Sequence, residues 1–189
     1  VNFNERTILE NAAKDLKNTL RIAQENAIAG VKDNVECDID PLDTVPPETF
    51  RGWCVSPGYA PSATAPNAGD PFTTYQIYGV CDTDENDAAL HRKFPASGNI
   101  EALSLPEGIQ LFTRAFKTDG TFEPNDVSSR ARFNVFGNNV QLADDTYTKI
   151  VYCLQGNFPS LGTDDIYQIT INQSGEINDD GFVDECTTT

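Results

Sequence analysis

The spacing of apolar residues between Asn4 and Gly30 constrains this chain more than any other feature. Ile8, Leu9, Ala12, Leu16, Leu20, Ala23, Ala27 and Ile28 recur largely at intervals of three and four. That period puts them on one side of an amphipathic helix. Asn4 is a suitable N-cap, and Gly30 supplies a stop because glycine readily takes the left-handed conformation that closes a helix. A helix from Glu5 to Ala29 would run about 38 Å at ~1.5 Å per residue. The opposite face carries Glu5, Arg6, Glu10, Lys14, Lys17, Asn18, Arg21 and Glu25. Their mixed signs suit water or neighbouring subunits.

After Val31 the pattern changes to short β-like runs broken by Pro, Gly, Asn and Asp. Strands are predicted at Val31–Cys37, Phe50–Val55, Phe72–Val80, Ile100–Leu105, Ile109–Phe116, Arg130–Phe136, Val140–Leu142, Lys149–Leu154 and Ile166–Asn172. Pro106-Glu107-Gly108 marks a turn, and Gly137-Asn138-Asn139 marks a hairpin. Ser56–Pro71 and Lys117–Asn125 read as loops, Ala88–Phe94 as a turn or short helix, and the segment from Glu176 on as an acidic tail. No strand–helix–strand alternation occurs beyond residue 31, so the sheets are expected to be antiparallel. The fold class is therefore α+β, a long N-terminal amphipathic helix packed on antiparallel sheet. At 189 residues the chain is read as one domain, 1–189, with the helix in 1–30 and a β-rich body in 31–189.

Charge narrows the partners. Thirteen Lys and Arg against 29 Asp and Glu give a net charge of −16, which repels phosphate backbones and argues against nucleic acid. The five cysteines, at 37, 54, 81, 153 and 186, show no Cys-x-x-Cys spacing, and a single histidine gives a zinc site little support. Dispersed cysteines in an acidic, loop-rich chain suggest disulfides and an oxidising, extracytoplasmic setting. An odd count leaves at least one cysteine outside any internal pair. Cys37–Cys54 and Cys54–Cys81 are both open, with Cys37–Cys54 favoured. No run of some eighteen apolar residues occurs.

The sequence offers no constellation for catalysis. His91, the one histidine, sits beside Arg92 and Lys93 and reads as a surface residue. No nucleophile elbow, phosphate loop or dinucleotide fingerprint is present, so no enzymatic activity is expected. Trp53 suits either carbohydrate stacking or the core, and its place within a strand favours the core. One cation pattern stands out. Glu176, Asn178, Asp180, Gly181 and Asp184 occupy the first, third, fifth, sixth and ninth places of a calcium loop. Thr187 stands at the twelfth, where a bidentate glutamate belongs. A solvated acidic tail without a cofactor is the preferred reading, with calcium as the variant.

The run Leu16–Ile28, followed by Val35-Glu36-Cys37 and Gly52-Trp53-Cys54-Val55, resembles the type IV pilin and pseudopilin superfamily, most closely its minor, H-type pseudopilins. Arg132–Gly137 and Ile169–Ile177 look like that family's closing strands. The resemblance implies a pilin-like head whose helix continues upstream into an apolar membrane span. Neither the span nor a Phe-Thr-Leu-Ile-Glu junction is in the sequence. It further implies a structural subunit of a type IV pilus or type II secretion pseudopilus, anchored in the inner membrane before assembly. The subunit would then be displayed at the cell surface or in the periplasm. Its partners would be other pilin or pseudopilin subunits, and the isolated head is expected to be monomeric. A disulfide tying a late strand to the C-terminal segment occurs in many type IV pilins, and Cys153 with Cys186 matches it in position. Calcium in a C-terminal loop of the major pseudopilins adds weight to the variant above. The alternative is a secreted calcium-dependent binding module or adhesin with a β-sandwich fold. An acidic hydrolase ranks third.

Overall fold

The structure is a computed structural model that describes residues 3–31, 49–58, 70–82, 101–124, 130–135, 140–142, 147–158 and 165–186. The strand expected at Val31–Cys37 (beyond Val31), the turn or helix at Ala88–Phe94 and the hairpin turn at Gly137–Asn139 lie outside these residues. So do His91, Cys37 and Thr187.

The first element is α1, Phe3–Ile28, which starts one residue before the expected cap. It ends as its glycine requires. Gly30 has φ +65°, and the Gly30 and Val31 amides donate to the carbonyls of Ala27 and Asn26 at 3.1 and 2.9 Å. This pair of bonds satisfies carbonyls that the last helical turn would otherwise leave bare.

Among the described residues, the strands of the body all pair antiparallel. One sheet has the order β3-β2-β1-β6-β7, built from β1 (Thr49–Gly58), β2 (Thr74–Asp82), β3 (Glu101–Ser104), β6 (Ala131–Asn134) and β7 (Val140–Leu142). The other has the order β10-β9-β8-β4-β5, from β4 (Ile109–Lys117), β5 (Phe122–Pro124), β8 (Tyr147–Gly156), β9 (Ile166–Asn172) and β10 (Ile177–Val183). The α+β class is therefore the observed one. Three stretches differ from expectation. Ser56–Gly58 continue β1 instead of opening a loop, Phe122–Pro124 form an edge strand, and the acidic segment after Glu176 forms β10.

Helix and sheets share one core. Leu9, Leu16 and Leu20 of α1 pack in one cluster with Val55, Tyr75 and Phe133 of the first sheet and Leu111, Ile150, Leu154, Ile169 and Ile171 of the second. α1 touches β1 and β6 on one side and β8, β9 and β10 on the other. Ala12, Ala13, Ala23 and Ala27 are buried between the leucines, and their short side chains let the helix backbone approach the sheets. Each fully buried leucine contributes roughly 1.5–3 kcal/mol, so this stripe is a principal adhesive of the fold. The sheets also meet directly, through a bridge between Phe72 and Leu111 and a 3.0 Å bond from the Val140 amide to the Gln173 carbonyl.

Candidate functional site

The helix packs on both sheets and still presents a face to solvent. Of the residues named for its docking face, Leu9, Ala12, Leu16, Leu20, Ala23 and Ala27 are buried, and Ile8 is partly buried against the core. Ile28 is not on that face. It is 46% exposed, because one residue turns a helix by roughly 100° and Ala27 already takes the inward position. Ala13 and Thr19 are buried in addition. Neither stands out in an apolar pattern, since alanine is only weakly apolar and threonine is polar. Phe3 is 85% exposed and Ile22 51%, so apolar side chains stand in water near both ends of α1.

Three polar links fasten α1 along its length. Lys17 Nζ donates to Asp179 Oδ2 at 2.7 Å, and the Tyr167 hydroxyl donates to Asp179 Oδ1 at 2.6 Å. Burial works to raise the Asp179 carboxyl, but hydrogen bonds from Lys17 and Tyr167 outweigh it and hold the group below the usual carboxylate range. Burial first, then the bond to Asp179, pushes the Tyr167 phenol up. Further along, Gln24 Nε2 donates to the Gly175 carbonyl at 2.8 Å. The Arg6 guanidinium lies 4.0 Å from the centre of the Phe182 ring, which meets Tyr167 edge-on at 5.0 Å. Beyond the helix, Trp53 Nε1 donates to the Val31 carbonyl at 2.8 Å. Trp53 packs against the core and pins the chain where it leaves α1. Lys17, read from sequence as part of a face suited to water or neighbouring subunits, reaches across to β10 of its own chain.

Cys153 and Cys186 form a disulfide, with Cα atoms 5.8 Å apart. Cys153 is wholly buried on the second sheet, and Cys186 packs with it against Phe116, Val151 and Ile166. The bond holds the chain past β10 onto the sheet, where Asp184 and Glu185 alone would not dock it. Cys54 corrects an expectation. It is a buried thiol and takes no part in a Cys37–Cys54 bond. Its position in β1 is opposite Tyr78, and it packs with Tyr78 and Val80, while Cys81 stands opposite Phe50. Neither candidate bond of Cys54 is therefore formed. Nearby, burial and then Cys54 and Tyr78 push the Tyr152 phenol up. The Tyr152 hydroxyl has no hydrogen-bond partner among the described residues.

The calcium pattern is drawn out into strand. Glu176 accepts from Asn172 Nδ2 at 3.0 Å. Asp180 accepts from Gln168 Nε2 and Thr170 Oγ1 at 3.0 and 2.6 Å. A bulge between Asp179 and Gly181, where Gly181 has φ +77°, sets these side chains apart along β10. Among the described residues, no group of three His, Cys, Asp or Glu comes together to hold a metal. Glu176, Asn178, Asp180 and Asp184 thus do not share one centre. Also among the described residues, no helix is long and apolar enough to cross a membrane.

No family model, curated protein or solved structure matches the chain.

Proposed function

We propose that this chain is the head of a structural subunit, a minor pilin or pseudopilin, of a bacterial type IV pilus or type II secretion pseudopilus. The observation that carries the reading is the division of α1 into two faces. One face, of Leu and Ala, is spent on the molecule's own sheets, while Phe3, Ile22 and Ile28 stand in solvent on a helix fastened from Arg6 to Gln24. A helix so divided serves assembly. Its inner face makes helix and head one rigid piece, and its outer face remains for neighbouring subunits. The disulfide-closed tail suits exposure outside the cytoplasm. In this reading an upstream apolar span holds the subunit in the inner membrane and moves into the filament core on assembly. The chain's work is mechanical, with no catalytic step.

The test is to shear filaments from producing cells and probe them with antibody to this chain, alongside the genomic sequence upstream of Val1. Presence in the filament fraction, together with an upstream apolar span behind a Gly-Phe-Thr-Leu-Ile-Glu-like junction, is the expected result. A chain recovered only as free protein, encoded without such a span, overturns the proposal.

A further inference from the structure

The second sheet carries cations on its inner strands and carboxylates along its β10 edge. Arg114 of β4 lies 5.0 Å from the Phe122 ring and Lys149 of the central strand β8 lies 5.3 Å from the Phe116 ring, with the two rings 5.3 Å apart, while the edge strand β5 beside them contributes Glu123. Register explains the grouping: Phe116 pairs with both Phe122 and Lys149, and Arg114 stands two residues before it on the same face. Neither Arg114 nor Lys149 has a carboxylate within salt-bridge distance among the described residues. That is unusual in a chain whose acids outnumber its bases 29 to 13. Asp119, in the turn after β4, directs its carboxylate to the amide and hydroxyl of Thr121. Phe122 is 46% exposed, leaving an apolar surface between the cations.

At the opposite edge of the sheet, β10 and its flanks hold Glu176, Asp179, Asp180 and Asp184 and no Lys or Arg. Lys17 pairs with Asp179. Glu176, Asp180 and Asp184 are exposed and have no cation within salt-bridge distance among the described residues.

We infer that the Arg114–Lys149–Phe122 patch across β8, β4 and β5 of one copy docks on the acidic β10 edge of the next. Two complementary but different patches on one molecule make a head-to-tail contact, which propagates instead of closing as a two-fold pair. The contact deepens the filament reading and rests on it, since it supplies the lateral association of heads. It is necessarily weak, because a charge of −16 on each copy opposes approach. Tethering along a filament offsets this by raising the local concentration to the order of millimolar.

The experiment is sedimentation of the 189-residue chain at ~1 mM, the concentration that tethering imposes. In ~0.1 M salt, a Debye length of ~10 Å screens the repulsion between whole molecules but not charges in contact; in ~1 M salt, ~3 Å weakens both. Oligomers are expected in the lower salt and monomer in the higher. Arg114→Glu with Lys149→Glu should weaken association at least about tenfold, and so should Glu176→Lys with Asp184→Lys. An equimolar mixture of these two variants should associate again, because each supplies the surface the other lacks. If a charge variant loses its far-UV spectrum, Phe122→Ala carries the test and should also weaken the contact. A parent chain that stays monomeric at ~1 mM, variants that associate like the parent, or a mixture that stays monomeric would each overturn the inference. Failure here, for a chain that is found in filaments, removes the edge contact alone. Success, for a chain absent from filaments, removes the filament reading alone.

Discussion

The two sheets are closed by different means. In the second, β8 and β9 pair without a break from Lys149 with Asn172 to Gln155 with Ile166, across one short connection. β10 then returns along β9, and the Cys153–Cys186 bond fixes the chain just beyond that strand. In the first sheet, β1 pairs with β2 from Thr49 to Gly58 but meets β6 over a shorter run, from Gly52 with Asn134 to Val55 with Ala131, extended by a 2.9 Å bond from the Val135 amide to the Arg51 carbonyl. These partners are far apart in sequence, so the pairing closes a long loop for few ladder bonds. α1 spans the difference by packing on both. The second sheet is thus held locally and covalently, and the first by backbone fit and the helix.

The sharpest way to break the first sheet is Gly52→Ala. A β-carbon there would stand 1.9 Å from the Phe133 carbonyl oxygen, a backbone atom of the facing strand. No side-chain motion relieves that clash, and the loss should be about 4 kcal/mol or more, at the severe end for single substitutions. Native-state hydrogen exchange should show Ala131–Asn134 amides opening before those of β8 and β9. Equal loss of protection in both sheets would mean that they do not differ as described.

The second sheet should fail through its disulfide. Cys153→Ala with Cys186→Ala releases a closure across 33 residues and should cost roughly 3–4 kcal/mol on the chain-entropy model. Urea denaturation of the variant should show it. The exchange signature should be the reverse of the Gly52 variant, with β10 losing protection first.

The helix acts on both sheets at once. Leu16→Ala should cost about 3 kcal/mol, within the usual 2–5 for a buried leucine, and should lower protection in both. Arg21→Ala, on the exposed face, should change stability by less than about 0.5 kcal/mol. Equal effects would show that the buried face is misplaced.

These contrasts also show what sequence patterning can reveal. The stripe of α1 is legible because leucines at helical spacing have one mutual face. Ile28 is misjudged because it adjoins Ala27 at the end of that stripe, where the period no longer discriminates. β10 is hidden because Asn178-Asp179-Asp180-Gly181 has low strand propensity. Its conformation is set by pairing to β9, by Phe182 under Arg6 and by Asp179 under Lys17, all long-range. Of the carboxylates that resemble a calcium loop, Glu176 accepts from Asn172, and Asp180 accepts from Gln168 and Thr170 of β9. Phe122–Pro124 escapes notice because three residues beside Asp119-Gly120 carry mainly a turn signal. Cys153–Cys186 is accessible through likeness of position, whereas the thiol state of Cys54 depends on strand register.

A small effect is expected from the pairing of Lys17 with Asp179. A double-mutant cycle of Lys17→Met and Asp179→Asn should give a coupling of about 0.5–1 kcal/mol, since the pair is only partly buried. Its pH dependence has a definite sign. Asp179 titrates below its unfolded value, so the unfolded chain binds the proton first as pH falls. The stabilisation is therefore complete above the ordinary carboxylate range and is lost as pH drops through the depressed value. Asp179→Asn should remove that part of the acid sensitivity. A variant with the parent's acid profile would show that the pair contributes nothing.

The most direct measurement of the two-faced helix is thiol accessibility at Ile22, through Ile22→Cys in the full-length precursor in producing cells. The residue is 51% exposed in the head, and the unsubstituted parent, labelled in parallel, gives the background from the native cysteines. A maleimide should label the substituted residue rapidly in the isolated chain and slowly in sheared filaments, where a neighbouring subunit covers it. Equally rapid labelling in both would contradict the proposal that this face of α1 is the assembly surface.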